Sequence, residues 1–320
     1  VAAPRHRELK AMPATITISI LNHQRRETLR ACLDRALAQN HPAFEVLVVD
    51  NASTDGSPEM VEQAFPSVRL IRLPGNVGCG GRNVGIETAR GDLVVTIDND
   101  VLFEGPDALR QAEALFAHRP GLVCASFRIL GADGRLSRRD WCHPRDPSEA
   151  EAVFPTDYVL EGACAFRKSA FLRAGGYWEP FFLGHEGLDL ALRLLDAGGE
   201  LIYWPAVAVR HLAAVDARPS SRIYYTFTRN SIWLALRNHR PRTAALSIAK
   251  DLALMSASSV RSRQFGAFLR GLADAFTGRH DALRSRRPLR RATYRRLREL
   301  RRQAPSLLAK AWRHLTERPI

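Results

Sequence analysis

The sequence predicts an α/β fold: a mostly parallel sheet flanked by helices, with a basic helical extension at its C-terminal end. Three observations predict it. Between residues 15 and 101, apolar β-rich runs alternate with stretches whose apolar residues recur at helical spacing. Each of those runs stops in a loop dense in glycine or oxygen-bearing side chains. Near the other end, 14 Lys or Arg against 3 acidic residues in 279–320 supply +11 of the net charge of +14.

In order, residues 15–21 form a β-branched run that reads as the first strand. Leu29, Cys32, Leu33, Ala36 and Leu37 then mark a helix over 27–39. A second strand spans 44–49, and Ser57-Pro58-Glu59 opens the next helix with proline in the first turn. A third strand at 68–73 leads through a glycine-rich loop into a helix ending near 89, and a fourth strand covers 92–97. Beyond it the pattern predicts a helix at 106–118, strands at 121–127 and 158–166, and a short helix at 168–174. A further helix follows Gly184-His185-Glu186, then two strands at 200–205 and 206–210. The long Gly-, Asp- and Pro-rich stretch at 131–157 reads as a lid or binding loop. His143 within it is a lone loop histidine rather than a ligand.

With 320 residues, 46% hydrophobic and 25% charged, the chain can bury one or two sizeable cores. Its excess of 47 basic over 33 acidic residues favours anionic partners: nucleic acid, acidic lipid or phosphorylated substrates. Cys32, Cys79, Cys124, Cys142 and Cys164 are scattered, and no CxxC pair occurs. That argues against a disulfide frame or zinc site and for a reducing, cytoplasmic compartment. No apolar run of about 18 residues, no signal-length stretch before the first strand and no repeat of roughly 20–50 residues is present.

The strand ends carry the chemistry. In a parallel sheet the loops at 22–25, 50–57 and 75–83 gather at one edge beside Asp98 and Asp100. Two carboxylates one residue apart at a strand tip suit Mg²⁺ or Mn²⁺, although a polar turn capping the strand has the same composition. Asp50 and Asn51 can hydrogen-bond a base or ribose, and Arg82 can reach an anion. Asp55 can either join them or cap a helix, and the Gly75–Gly81 stretch can cradle a ligand or simply turn. Glu186, just ahead of its helix, is a candidate base; Asp189 is either a second one or an acid favoured by the helix dipole. His211, directly after an apolar strand, can be a third metal ligand.

Five stretches fall in one order: FEVLVVDNASTDGS at 44–57, NVGCGGRN at 76–83, DND at 98–100, GHEGLDLALR at 184–193 and VRH at 209–211. Together they resemble the family 2 glycosyltransferases of GT-A (Rossmann-like) fold, over residues 14–240. The resemblance implies a metal-dependent, inverting transferase that moves a sugar from a nucleotide-sugar donor to a hydroxyl acceptor, in cell-surface polysaccharide or glycolipid synthesis. It places Asn22, Asp50, Asn76 and Arg82 on the nucleoside and diphosphate, with Asn51, Asp55, Asn83 and Asp98 completing the donor loops. It places Asp98, Asp100 and His211 around Mg²⁺ or Mn²⁺. The family's base is an Asp directly after a Glu, where this chain has Gly187; Glu186 is the expected base and Asp189 the alternative. The alternatives are a degenerate sugar-nucleotide-binding protein or a nucleotidyltransferase.

The expected organisation is a mobile leader at 1–13, a transferase domain at 14–215 (nucleotide-binding half 14–101, acceptor half 102–215) and a basic amphipathic extension at 216–320. Apolar residues at helical spacing among arginines suit an anionic membrane surface. The chain is therefore expected on the inner face of the cell membrane, near a glycan or lipid-linked acceptor. No nucleic-acid motif is visible, so no specific nucleic acid is expected.

Overall fold

The structure is a computed structural model that describes residues 16–212, 220–302 and 304. The expected leader at 1–13, the boundary at 215/216 and the last part of the basic segment, 305–320, lie outside the described residues. The first half follows the pattern of the sequence. Strands β1 (Ile16–Asn22), β2 (Phe44–Asp50), β3 (Arg69–Arg72) and β4 (Leu93–Asp98) lie parallel, in the order β3-β2-β1-β4. Helices α1 (Arg26–Leu37), α2 (Ser57–Ala64) and α3 (Gly80–Thr88) connect them. Register pairs Asn22 with Asp50 and Leu21 with Asp98, so the carboxyl ends finish level.

The second half contains β5 (Val101–Phe103), α4 (Ala108–His118), β6 (Leu122–Leu130), β7 (Phe154–Pro155), β8 (Ala163–Arg167), α5 (Lys168–Ala174), α6 (Glu186–Asp196) and β9 (Glu200–His211). The sheet continues from β4 through β8, β6 and β9 to β5, with β7 also on β9. Strands β5, β7 and β8 run against the rest, so the sheet is mixed but mostly parallel. Strands β5 and β7 are too short to leave a periodic signal. The two strands expected at 200–205 and 206–210 are one: β9 passes Pro205 by a bulge, pairing Phe127 with Trp204 but Arg128 with Ala208. A bulge tolerates a residue that has no N–H to give the ladder.

Side-chain alternation splits the core into two layers. Leu93, Val95 and Ile97 of β4 face α1, α2 and α4, whereas Val94 faces α3, α5 and α6. Full burial of each such side chain is worth about 1.5–3 kcal/mol. The C-terminal helices are α7 (Ser220–Asn238), α8 (Pro241–Arg261), α9 (Phe265–Thr277), α10 (Arg279–Arg284) and α11 (Arg291–Leu300), and all but α8 send side chains into the second layer. Trp233, Ala275, Ala282 and Leu297 enter the same cluster as α6. The described extension is therefore packed onto the domain through α7, α9, α10 and α11, with α8 against α7 and α9. The stretch at 131–157 is also pinned: Trp141, His143 and Phe154 pack on Tyr203, with Phe154 and Tyr203 stacked at 4.8 Å. His143 donates to or accepts from Thr156 Oγ1 at 2.9 Å, and burial holds its pKa down at about 3. It is a neutral, buried histidine within that aromatic cluster.

Asp189 is the largest correction among the acids. It is fully buried, on the α6 face that meets α7, and its carboxylate accepts from Arg193 Nε (3.0 Å), Arg237 Nε (3.1 Å) and Asn238 Nδ2 (2.6 Å). Burial alone would raise its pKa; the charges of Arg193 and Arg237 and the hydrogen bonds hold it below the ordinary carboxylate value. A carboxylate committed in this way clamps two helices and is not a base. Asp189→Asn should lower unfolding stability by about 3 kcal/mol, because it leaves buried guanidinium groups uncompensated. The wild type should lose that contribution as pH falls below about 4, and the variant should not; pH-dependent chemical denaturation checks both.

Candidate active site

The level strand ends place the expected donor residues together. Asn22, with no exposed surface, donates to Asp50 Oδ1 (2.7 Å) and Ser53 Oγ (3.1 Å) and accepts from Asn99 Nδ2 (2.6 Å). Asp50 also accepts the Ser53 amide at 2.8 Å. Asn51 reaches sideways instead: its amide donates to the Gly78 carbonyl (3.1 Å) and its oxygen accepts from the Val77 amide (2.9 Å). It thereby ties the glycine-rich loop to β2. Gly78 has φ +58°, and a Cβ there would overlap the Phe182 carbonyl. That position needs glycine for both reasons. Asn76 Oδ1 accepts from the Gly78 amide at 2.9 Å, with Asn76 itself exposed.

Other expected donor-site residues carry structural bonds. Asp55 accepts from the Arg26 amide (2.9 Å) and the Ser57 amide (3.1 Å), joining α1 to α2. Partial burial opposes its charge, but the hydrogen bonds from Ser57 and Arg26 keep its pKa below the usual value. Asn83 exchanges hydrogen bonds with the Tyr177 backbone at 2.9 and 2.8 Å, fixing the turn that leads to α6. Arg82 pairs with Asp98 and donates through Nε to the Glu161 carbonyl at 3.4 Å.

The acids at the tip of β4 are thus already neutralised by cations. Asp100 lies 3.3 Å from Arg25 Nη1 and 3.6 Å from His211 Nε2. Val101 pairs with His211 across β5 and β9, which explains why those two side chains meet. His211 Nδ1 also lies 3.0 Å from Asp140 Oδ2. Hydrogen bonds to Asp100 and Asp140 raise the His211 pKa to about 10. A protonated imidazole has no lone pair for a metal. Among the described residues, no group of three or more His, Cys, Asp and Glu side chains is disposed to hold a metal ion. Without a metal, each of the three expected ligands is paired with another charged side chain: Asp98 with Arg82, Asp100 with Arg25, and His211 with Asp100 and Asp140.

On the acceptor side Glu186 is the first residue of α6, buried, not ahead of the helix as expected. Asn230 of α7 holds the turn before it, donating to the carbonyls of Phe181 (3.0 Å), Leu183 (2.9 Å) and Gly184 (2.7 Å). Glu161, which sequence reasoning missed, lies beside Glu186. Burial first, and then the charge of Glu186, raise its pKa to about 8. The signal for it was an acid inside the apolar run at 158–166.

The profile described as "Glycosyl transferase family 2" matches residues 16–175. The chain belongs to glycosyltransferase family 2. An N-acetylglucosaminyl-diphospho-decaprenol L-rhamnosyltransferase of Mycobacterium tuberculosis is 32% identical to this enzyme, over 72% of this chain and 89% of the relative. The succinoglycan biosynthesis protein ExoO of Rhizobium meliloti is 32% identical over 69% of this chain and 63% of its own. Among solved structures, S. aureus TarS 1-349 in complex with UDP-GlcNAc superposes with a TM-score of 0.59 at 17% identity, covering 84% of this chain and 83% of that one. The mannosyltransferase PcManGT from Pyrobaculum calidifontis, in complex with GDP-Man and Mn²⁺, gives 0.55 at 21% identity, covering 95% and 88%. The glycosyltransferase thus has the GT-A-like fold expected of it.

His211→Gln should lower the thermal midpoint of this glycosyltransferase by releasing Asp140 and the segment around it. The pKa is raised on folding, so the stabilisation is full below about pH 6.5 and disappears as pH climbs towards 10. The gap between wild type and variant in a pH series of melting curves should close over that window.

Proposed function

We propose that this glycosyltransferase moves a sugar from a nucleotide-sugar donor to a hydroxyl of a glycan or lipid-linked acceptor, with inversion, in cell-envelope polysaccharide or glycolipid synthesis. The observation that carries the reading is the meeting of Asn22, Asp50, Arg82 and Asp98 at one sheet edge, with Glu186 opening α6 beside Glu161. The names of the rhamnosyltransferase and of ExoO support the envelope assignment. Asn22 and Asp50 form a rigid floor for a nucleoside. Arg25 and Arg82 supply positive charge next to the place where a diphosphate would leave. Glu186 accepts the proton of the acceptor hydroxyl as that oxygen attacks the anomeric carbon, and a single displacement inverts the configuration.

Mg²⁺ or Mn²⁺ would be held by Asp98 and Asp100 once these are released from Arg82 and Arg25, with His211 joining only after losing its proton. When bound, it would offset charge on the leaving diphosphate. Sugar nucleotides should raise the melting temperature by mass action, and EDTA should remove the shift if the metal is required. Asp98→Ala and Asp100→Ala should abolish release of nucleoside diphosphate. Release of pyrophosphate instead would mark a nucleotidyltransferase.

A second feature supports a membrane-facing side. Leu246 and Phe276 are 74% and 66% exposed on α8 and α9, and Val260 is 60% exposed. Between α8 and α11 runs a cleft of about 1010 Å³ lined by Arg240, Lys250, Arg291, Arg295, Arg298 and Arg301. Leu246 lines that cleft, and an exposed apolar side chain among clustered cations fits an anionic bilayer surface. Among the described residues no helix is long and apolar enough to cross a membrane. The full chain should float with anionic liposomes, and Leu246→Glu with Phe276→Glu should weaken flotation at least several-fold without changing the fold.

A further inference from the structure

The segment Glu161-Gly162, just ahead of β8, spans the gap between the two sides of the site. Its backbone is fixed on the donor side. Thr96 Oγ1 (2.8 Å) and Arg82 Nε (3.4 Å) both donate to the Glu161 carbonyl, and the Asp98 amide donates to the Gly162 carbonyl at 3.2 Å. A Cβ on Gly162 would overlap the Asp98 carboxylate. Its side chain is fixed on the acceptor side. A Cβ on Gly187 would overlap Glu161 Oε1 and the Val159 carbonyl and lie 2.6 Å from Glu161 Cδ. Gly187 directly follows Glu186 in the first turn of α6. The missing side chain at 187 is thus what admits the Glu161 carboxyl to the start of that helix. Glu161 remains half-buried, with part of its surface open.

Resting on the glycosyl-transfer reading above, we propose that Glu161 is a second catalytic carboxylate, which acts with Glu186 on the acceptor hydroxyl. The hydroxyl O–H bond breaks and its proton passes to the Glu161–Glu186 pair. The freed oxygen forms the new bond to the anomeric carbon. The bond from that carbon to the diphosphate oxygen breaks, and its electron pair leaves on the nucleoside diphosphate. Two acids at one position act as a unit, because neither holds its geometry or charge independently of the other.

The test uses the full chain with Mn²⁺, with UDP-GlcNAc, GDP-mannose and a rhamnosyl nucleotide as donors and N-acetylglucosaminyl-diphospho-decaprenol as acceptor. Nucleoside diphosphate release and donor-induced thermal shift are read side by side. Glu161→Gln should cut kcat about a hundredfold or more while leaving the donor-induced shift in place. Glu161→Asp, which keeps the charge, should retain more activity than Glu161→Gln. The double variant Glu161→Gln/Glu186→Gln should be no slower than the slower single variant. A Glu161→Gln enzyme that keeps its fold and turns over within threefold of wild type overturns the inference and leaves the transferase reading standing. A wild type that neither binds nor cleaves any of these donors overturns both.

Discussion

The site depends on one buried side chain, Asn22. It has no exposed surface and joins the ends of β1, β2 and β4 through Asp50, Ser53 and Asn99. A polar group so placed is costly unless satisfied, so the network that satisfies it also fixes where three strands stop. The glycine-rich loop is then set by Asn51, and the start of α3 by that loop. Arg82 enters the site from α3 and meets Asp98 there. The steps from Asn22 to the glycine-rich loop use amide hydrogen bonds, and the last one is the ion pair of Arg82 with Asp98.

The donor half was the legible part because its signals are local. A β-branched run followed by oxygen donors states both the strand and its end, and register then forces convergence. Leu29, Cys32, Leu33 and Ala36 are buried as their spacing required, and four of the five cysteines are buried free thiols. The acceptor half was less legible because its signals are tertiary. Strands β5 and β7 span three and two residues, too few for any period to show. The bulge at Pro205 looks like a strand break when only the chain itself is read.

The same distinction separates the site residues. Residue type alone could not tell which acids are available, since Asp189 and Glu186 sit within one turn of the same helix. Only the arginines and the asparagine of other elements turn Asp189 into a clamp. His211 ends an apolar strand as a ligand would, yet its pKa is raised by Asp100 and by Asp140, the latter contributed by a loop 71 residues away in sequence. Glu161 shows in the sequence only as an acid inside an apolar run; its meaning comes from the emptiness of Gly187, which is a property of two segments together.

The three bonds from Asn230 to the turn ahead of α6 carry a consequence for how the two ends of the molecule communicate. The helix that supplies Asn230 also supplies Trp233 to the packing of α9 and α10. A substitution that repacks that bundle therefore acts on the same helix that holds the turn before Glu186. One helix, α7, thus carries both the packing of the C-terminal bundle and the bonds that shape the acceptor-side turn, whereas the Asn22 network is bonded to β2 and to the loops after β2 and β4.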